Sequence, residues 1–497
     1  IWGCKCFSSA PTMARGVVAG SNWGHCGRAF LAIRRTSLSS TNYAVRFSVC
    51  GCWFPKLPEL VVRKTNQVSD GLAMIDVGHA KQSIKPRICY ISYDGVLEPL
   101  GESQVLGYVE RLAAQFDISL ITFEKAVDLE PKRVREMNKR LGEQGVHWMR
   151  MRYHKWPPVL STAYDVLHAL WSGRRLSRDR PVKLVHARGY VAGLIALGLT
   201  RIFGSAFLFD MRGFWADEKV DGGHWSRSSS IYGLTKYFER KFFESAQGIV
   251  SLTHEGVSSF PTLGYGISSD TSIEVIPTCT DLDRFGPGPK DAALLEELKL
   301  TDRLVIGVSG TVSNWYLRQA MLDGLALLTS ELEQASVLIV TRDNHDQLRR
   351  DAASAGLPLE RLVIVSAPFD KMPTYLRLMD VGLFFIKVCF SKKGSCATKL
   401  GEFLATGTPV MINNGVGDSG RIVQEFNAGV VLPDATTTSV TRGIPAVRSL
   451  LEDQETQTRC RAAAKRYFDV RRGSEQYAAL YRRLIGDLQT TEGGSQA

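Results

Sequence analysis

Short apolar segments of β-strand character alternate with longer segments of helical period along most of this chain, in two successive series. The apolar runs of the first series lie at 88–91, 118–122, 184–186, 207–209 and 248–252. Those of the second series lie at 304–308, 337–340, 362–365, 381–385, 410–412 and 429–431. This alternation is typical of βαβ units on a parallel sheet. We therefore predict an α/β fold of two doubly wound, Rossmann-like domains that face a cleft.

A segment rich in proline and glycine at 277–289 separates the two series and is the best candidate for a linker. It divides the chain into an N-terminal Rossmann-like domain at 74–283 and a C-terminal one at 284–470. Residues 471–497 are predicted to form a helix and tail that can cross back to the N-terminal domain. With 497 residues, 44% of them hydrophobic, the chain is long enough to build both cores.

Residues 1–73 differ from the rest of the chain in charge. Up to position 58 they contain seven lysines or arginines and no acidic residue, so this stretch carries +7 of the net charge of +11. A transit peptide, a zinc site at its two Cys-x-Cys pairs, and translated sequence upstream of Met74 are three interpretations. We favour the last, because no helical or strand period is sustained there. We expect this leader to be disordered and dispensable.

The sequence disfavours several classes of protein. The longest apolar stretches, such as 190–199 and 381–386, are shorter than the roughly 18–20 residues of a spanning helix, so no membrane span is predicted. Neither the Gly-x-Gly-x-x-Gly fingerprint nor a Walker A sequence occurs, which disfavours a dehydrogenase and a P-loop NTPase. The five cysteines after position 73 are scattered, as in a reduced, intracellular protein, so we expect a cytoplasmic location.

The loop after the first predicted strand offers its backbone to a ligand. Gly95 and Gly101 permit close approach of the main chain. The helix that begins near Glu102 presents free N–H groups beside Ser103 and Gln104. An ordinary strand-to-helix turn that needs glycine for its own geometry is the alternative.

The loop after the strand at 207–209 combines acidic, aromatic and glycine residues. Trp215 offers a flat face to a sugar ring, and the carboxylates of Asp210 and Asp217 suit its hydroxyls. Arg212 lies where the predicted sheet opens. The pattern favours a pocket for a polyhydroxy ligand over a surface loop that is merely anchored by its aromatic residues.

A third loop, at 390–397, leads into a helix that carries Thr398, Lys399 and Glu402 on one face. A cation, a hydroxyl and free N–H groups at a helix N-terminus suit a diphosphate. A carboxylate one turn further along can accept hydrogen bonds from ribose hydroxyls. A lysine–glutamate pair on a helix surface is the alternative.

Taken in order, these segments resemble a retaining glycosyltransferase of the GT-B type, family 4-like (group 1), over roughly residues 86–497. The resemblance implies that the N-terminal domain binds a saccharide or lipid-linked acceptor through the first two loops. It implies that the C-terminal domain binds a nucleotide-sugar. It further implies hexosyl transfer with retention, in the synthesis of surface polysaccharides or glycolipids, without a cofactor or a metal.

The resemblance also gives roles to the donor residues. Thr398 and Lys399 correspond to diphosphate contacts, and Glu402 corresponds to the ribose carboxylate. Gly310 and Thr311 lie where the backbone of family members approaches the donor phosphates. Negative charge grows on the diphosphate as the sugar leaves, so a preorganised cation there is the main catalytic requirement.

The chain departs from the family pattern at the donor sugar. Gly394 stands where many members have the first of two glutamates, and of the familiar cations after the first strand of the second domain only Arg318 is a candidate. We predict Lys399 as the principal catalytic cation, with Arg318 and Arg212 in support. His186, at a strand end, is either a base or a buried core residue.

The linker sequence Asp281-Leu282-Asp283 matches the Asp-x-Asp motif that binds a metal in other glycosyltransferases. The resemblance explains Asp281 without a metal, so no metal site is predicted. Two other functions stay open. The first is a sugar-nucleotide epimerase of the same architecture, which would need acid and base carboxylates at the sugar. The second is a nucleotide-sugar-binding protein that has lost activity, and Gly394 is the only sequence feature that suggests it.

A basic stretch between 132 and 175 contains Trp148 and Trp156. Such a surface suits anionic lipid headgroups at about 1 kcal/mol per cation, so we expect contact with the inner face of the cytoplasmic membrane. A solvated helical surface is the alternative. Nucleic acid is not an expected partner, because no binding motif accompanies the charge.

Overall fold

The structure is a computed structural model that describes residues 85–494, with side chains up to position 487. It also describes two short strands that precede residue 85. Strands β1 (Tyr43–Ala44) and β2 (Val61–Val62) pair antiparallel within a compact unit, Ile1–Gln82. The second unit, Ser83–Ala497, contains the two sheets described below. The rest of the predicted leader, with its Cys-x-Cys pairs, lies outside the described residues.

Seven parallel strands form the first sheet. They are β3 (Arg87–Ser92), β4 (Asp117–Glu124), β5 (His147–Arg152), β6 (Val182–Arg188), β7 (Ala206–Asp210), β8 (Gly248–Ser251) and β9 (Ser272–Val275). Their order in space is β5-β4-β3-β6-β7-β8-β9, so the direction of winding reverses between β3 and β6. A crevice opens at such a reversal, outside the carboxyl ends of the strands.

Helices cover both faces of this sheet. They are α1 (Pro99–Gly101), α2 (Gly107–Leu112), α3 (Pro131–Glu143), α4 (Pro158–Gly173), α5 (Tyr190–Phe203), α6 (Trp215–Asp221), α7 (Ser230–Ser245) and α8 (His254–Ser258). A π-helical turn, Glu102–Leu106, joins α1 to α2. Because helices lie on both faces, the central strands are buried throughout, which explains their continuous apolar runs.

Six parallel strands form the second sheet, in the order β12-β11-β10-β13-β14-β15. They are β10 (Leu304–Ser309), β11 (Ala335–Val340), β12 (Leu362–Val365), β13 (Val381–Phe384), β14 (Val410–Asn413) and β15 (Gly429–Leu432). Its helices are α9 (Ala292–Glu297), α10 (Arg318–Glu331), α11 (His345–Ser354), α12 (Met372–Leu378), α13 (Thr398–Thr406), α14 (Ser419–Glu425), α15 (Thr437–Glu452) and α16 (Thr456–Ala463). The order reverses between β10 and β13.

The last helix, α17 (Val470–Gly494), packs against the first sheet rather than the second. Tyr477 and Tyr481 on this helix are fully buried in one core with Tyr90, Tyr108 and other residues of the N-terminal half. A second core lies on the opposite face of the first sheet, and a third fills the C-terminal half. The C-terminal helix therefore completes the N-terminal half.

The predicted fold class is confirmed, and within the seven-stranded and six-stranded sheets two strands escaped prediction. Both are the edge strands of the first sheet, β5 with the sequence HWMRMR and β9 with SIEV, and both are largely exposed or half-buried. An edge strand has neighbours on one side only, so it lacks the apolar run that marks a buried strand.

Candidate functional site

The carboxyl ends of β10 and β11 and the start of α13 enclose a cleft of about 490 Å³. Gly310 follows β10 with a φ of +73°, in the left-handed region that favours glycine, and its N–H donates to the carbonyl of Val340 (2.9 Å). This turn brings the main chain toward α13. The predicted donor residues all line this cleft: Gly310, Thr311, Thr398, Lys399 and Glu402.

Lys399 reaches across this cleft from the first turn of α13. Its side chain is buried, and Nζ donates to the carbonyl oxygen of Thr311 (3.1 Å) and lies 3.6 Å from the ring centroid of Tyr316. Burial lowers the pKa of Lys399 to about 7, although Glu402 and Asp343 oppose this shift. An additional anion beside Nζ would therefore stabilise the charged form of Lys399 and raise its pKa.

Glu402 lies one turn further along α13 and faces the same cleft. Burial raises the pKa of its carboxyl to about 7, while Lys399 and Arg284 act to lower it. Between residues 85 and 487, no group donates a hydrogen bond to this carboxylate. Its oxygens are therefore open to hydroxyl donors of a ligand.

Arg342 and Asp343 follow β11 and also line the cleft. Neither was predicted from the sequence. Asp343 accepts hydrogen bonds from Thr311 Oγ1 (3.0 Å) and from the N–H of Val312 (2.9 Å), which fixes the loop after β10. Arg342 is exposed and contributes a second cation to the lining. Their position directly after a predicted strand is the sequence feature that could have identified them.

Arg318 lies elsewhere. It begins α10, and its Nη1 pairs with Asp351 (2.7 Å) instead of lining the cleft that the described residues form. A contribution of Arg318 to the donor site would require it to leave that carboxylate.

The glycines of the first loop pack on each other. A Cβ on Gly101 would lie 1.8 Å from the carbonyl oxygen of Gly95, and one on Gly95 would lie 2.3 Å from Glu124 Oε2. The buried Glu124 carboxylate accepts from the N–H groups of Val96 (2.9 Å) and Leu97 (3.1 Å), and burial raises the pKa of Glu124. These contacts give both glycines a role in the shape of the loop.

The three residues that follow in this loop reach the space between the two halves. Ser103 lines the cleft at the start of α13, and Glu102, Ser103 and Gln104 line an adjoining pocket of about 80 Å³ that Thr398 and Glu402 also border. Gln104 Nε2 donates to the carbonyl of Cys279 (2.9 Å), and Gln104 Oε1 is buried without a hydrogen-bond partner. Residues of both halves thus meet at Glu402.

Asp210 and Arg212 belong to a buried polar network at the carboxyl end of β7. Tyr477 of α17 donates to Asp210 Oδ2 (3.0 Å), and Arg212 Nη1 and His186 Nε2 lie 3.7 and 3.6 Å from the same oxygen. Burial acts to raise the pKa of Asp210, but Arg212 and His186 outweigh it, so this pKa is lowered.

Burial lowers the pKa of His186, and its Nδ1 lies 2.6 Å from the hydroxyl of Tyr481. His186 is fully buried, as the core interpretation requires. Arg212 has a φ of +56°, a strained value for a residue with a side chain. The network therefore joins the loop after β7 to α17.

The second predicted acceptor loop packs inside the protein. Asp217 is buried and accepts from Tyr232 (2.9 Å) and Lys236 (3.0 Å), so both of its oxygens are occupied. Trp215 is half-buried, with its ring centroid 5.3 Å from that of Trp225. Neither side chain lines the cleft that the described residues form at the start of α13.

The same region of the chain joins the two halves. Glu218 of α6 accepts from the buried Lys392 (2.7 Å), whose Nζ also lies 3.7 Å from the ring centroid of Trp315. Asp418 accepts from the N–H groups of His254 (2.9 Å) and Glu255 (3.1 Å) at the start of α8. The halves are in direct, hydrogen-bonded contact on this side of the cleft.

The Asp-x-Asp sequence of the linker is engaged in ion pairs. Asp281 accepts from Arg111 (3.2 Å) and from the N–H of Asp283 (3.0 Å), and Asp283 pairs with Arg471. Across the described part of the chain, no group of three or more His, Cys, Asp or Glu side chains is arranged to hold a metal ion. None of the described helices is long and apolar enough to cross a bilayer.

One family model matches most of the N-terminal half. Residues 101–279 match the family model described as a glycosyl transferase 4-like domain. No curated protein matches the chain significantly in sequence.

Several solved structures share the fold of both halves. Sucrose-phosphate synthase from Thermosynechococcus elongatus is 15% identical, with a TM-score of 0.60 over 81% of this chain and 100% of that one. A glycosyltransferase from Rickettsia africae ESF-5 is 14% identical, with a TM-score of 0.60 over 81% and 99%. HepE from Anabaena, in complex with UDP and glucose, is 15% identical, with a TM-score of 0.59 over 79% and 98%. Residues 101–279 are thus similar to a glycosyl transferase 4-like domain, within a chain that has the GT-B fold of two Rossmann-like domains.

Proposed function

We propose that this protein transfers a sugar from a nucleotide-sugar donor to a saccharide or lipid-linked acceptor. The observation that carries the proposal is the meeting of Lys399, Glu402 and Gly310 in one cleft at the switch point of the second sheet. The UDP and glucose bound to HepE, a protein of the same fold, support a nucleotide-sugar as the ligand.

The cleft offers separate surfaces to the parts of such a donor. Lys399 and the free N–H groups at the start of α13 suit the diphosphate, and Arg342 adds charge at the rim. Glu402 can accept from ribose hydroxyls. Phe369 and Met372 add apolar surface to the lining, which suits a flat base.

Lys399 acts on the leaving group in this proposal. As the bond between sugar and diphosphate breaks, charge grows on the phosphate oxygens, and a protonated Lys399 beside them stabilises that charge more in the transition state than in the ground state. The diphosphate itself raises the pKa of Lys399 and so keeps the ammonium charged. We propose retention of configuration, with the departing phosphate as the acceptor of the proton. The reaction then needs no metal or cofactor.

The acceptor enters from the N-terminal half. Glu102, Ser103 and Gln104 are the predicted acceptor residues that reach the shared space beside Glu402, and the loop held by Glu124 positions them. Arg212 is tied to Asp210 and acts in this proposal by positioning the loop after β7, behind the cleft.

We further propose that the protein is cytoplasmic and works at the inner face of a membrane, as a hexosyltransferase of surface polysaccharide or glycolipid synthesis. The basic residues of α3 and β5 support contact with anionic lipids. Lys132, Arg135, Lys139, Arg150 and Arg152 have exposed or half-buried side chains on these elements.

Incubation of the full chain with a panel of labelled nucleotide-sugars, with and without saccharide and lipid-linked acceptors, tests the function. We expect free nucleoside diphosphate together with a labelled acceptor of retained anomeric configuration. An epimerised sugar would make the protein an epimerase, and donor binding without any product would make it a binding protein. Lys399→Met should abolish the product, whereas Lys393→Met, at an exposed neighbouring position, should not.

A further inference from the structure

Helix α4 (Pro158–Gly173) presents its bulky apolar residues to solvent. Leu160, Tyr164, Leu167 and Trp171 are 70%, 56%, 66% and 52% exposed, and their spacing of three or four positions places them on one face. Contiguous exposed apolar surface of this kind marks an interaction site.

The inward face of the same helix holds small and polar residues. Ser161, Asp165, Ala169 and Gly173 are the buried positions, four residues apart. A Cβ on Gly173 would already lie 3.0 Å from Leu199 of α5. The fully buried positions of α4 are thus small or polar, while Val166 and Leu170 pack against the core at half-buried positions.

Hydrogen bonds fix this orientation. The buried Asp165 accepts from the hydroxyl of Tyr93 (2.8 Å) and from the N–H of His154 (3.1 Å), and His154 Nδ1 lies 2.6 Å from its other oxygen. Turning the apolar face inward would break these bonds and bring large side chains against α5. The outward apolar face is therefore specified by the packing of the helix.

The charges around this face are positive. The exposed positions of α4 include no Lys, Arg, Asp or Glu, whereas Lys155 precedes the helix and Arg174 and Arg175 follow it. Both guanidinium groups lie over the ring of Trp171, at 4.8 and 4.3 Å from its centroid. Trp156, 81% exposed, stands at the other end.

We propose that α4 lies in the plane of an anionic membrane surface, with its apolar face at the boundary between headgroups and acyl chains. The inference rests on the membrane contact proposed above and names the element that makes it. Tryptophan at both ends and arginine beside one of them match the preferences of the membrane–water interface. A twofold pairing of two chains through this face would instead bring the same cations together.

The position of α4 connects the membrane surface with the cleft. Tyr93, which donates to Asp165, begins the loop that ends at Ser103 and Gln104 beside Glu402. An acceptor anchored in the same membrane would meet this loop from the side of α4.

Flotation of the full chain with phosphatidylcholine vesicles, alone or with 30% phosphatidylglycerol, tests the inference. We expect binding to the anionic vesicles and a loss of roughly tenfold or more in the variant Leu160→Ser/Leu167→Ser/Trp171→Ser, since three apolar side chains that would enter the membrane are removed. The matched control is Leu234→Ser/Tyr237→Ser on α7, where the side chains are 53% and 55% exposed; it should bind like the unaltered protein.

Vesicles made of lipids with brominated acyl chains report directly whether tryptophan side chains insert into the bilayer. Brominated lipids should quench part of the tryptophan emission of the bound protein, and Trp171→Phe should lose that part. If the unaltered protein does not bind anionic vesicles, the proposed membrane contact itself is wrong. If it binds and the α4 variant binds equally, only the assignment to α4 is wrong.

A dimer in solution that the α4 variant converts to a monomer, measured by light scattering, would assign the face to a second copy of the chain and overturn the inference. Transfer to a water-soluble acceptor is measured in parallel. That activity should be equal in the α4 variant and its control, so a failure of glycosyl transfer is recognised separately from a failure of membrane docking.

Discussion

Phe214 of the N-terminal half packs directly on Gly394 of the C-terminal half. A Cβ at position 394 would lie 3.1 Å from the Phe214 ring and 3.4 Å from the Cα of Gly213. Phe214 is buried, and its ring centroid is 4.9 Å from that of Phe390. The space that a glutamate would need at this position is filled by the contact between the halves.

We therefore expect Gly394→Glu to separate the halves locally and to lower the stability by about 1–3 kcal/mol, as overpacking does. Thermal unfolding measures this loss. Gly233→Glu is the matched control, because a Cβ there meets nothing within 4 Å. Gly394→Glu should cost less stability in a Phe214→Ala background than in the unaltered protein, because the clash is then relieved. Equal melting temperatures of Gly394→Glu and Gly233→Glu would show that the contact is unimportant.

Lys399→Met should lower kcat by about 100- to 1000-fold, or 2.7–4 kcal/mol of barrier, by analogy with the removal of one preorganised donor. The melting temperature should stay equal or rise, because a buried ammonium is replaced by an apolar side chain. Steady-state kinetics at saturating donor, with Lys393→Met as the control, measure the effect. A near-normal kcat in Lys399→Met would remove this lysine from the reaction.

Glu402→Gln should raise KM for the donor while kcat changes little. The carboxylate would hold the ribose equally in the ground state and the transition state, and loss of such uniform binding appears in KM. Donor titrations of both parameters test this. The prediction fails if the main change lies in kcat, which would place Glu402 at the reacting atoms.

Donor binding should take up protons at pH 8. With a pKa of about 7, free Lys399 is mostly neutral at that pH, and an adjacent diphosphate favours its charged form. At pH 6 Lys399 is already charged. Glu402, also with a pKa of about 7, should instead release a proton there as its carboxylate accepts from hydroxyls.

Calorimetry of UDP binding in buffers of different ionisation enthalpy measures the number of protons. Another nucleoside diphosphate replaces UDP if the donor screen selects it. Lys399→Arg, which stays charged, should abolish the uptake at pH 8 and retain binding. Unchanged uptake in this variant would assign the proton to another group.

Glu124→Ala should destabilise the loop at 93–104 and weaken acceptor use more than donor binding. It leaves the buried N–H groups of Val96 and Leu97 without their acceptor, at a cost of about 1–3 kcal/mol. Chemical denaturation and KM for the acceptor measure the two effects. Glu143→Ala, an exposed position on α3, serves as the control and should change neither.

Much of the fold could be predicted because buried parallel strands appear in the sequence as continuous apolar runs. The strand Leu362–Val365 has the predicted bounds, and the other predicted strands differ from their apolar runs by one or two residues at an end. The residues that α13 contributes to the cleft could also be predicted, because the spacing of Thr398, Lys399 and Glu402 places them on one face of a helix. Gly310, which lines the same cleft, was identified through the family resemblance.

Long-range contacts decided the rest. The sequence could not show that Lys236 and Tyr232 occupy the oxygens of Asp217, that Gly101 packs on Gly95, or that burial brings the pKa of Lys399 to about 7. Nor could it show which face of α4 is exposed, because that depends on Tyr93, far away in the chain. Local patterns determine which elements form, while the partner of each polar group, and hence its charge and availability, is fixed only when distant segments pack together.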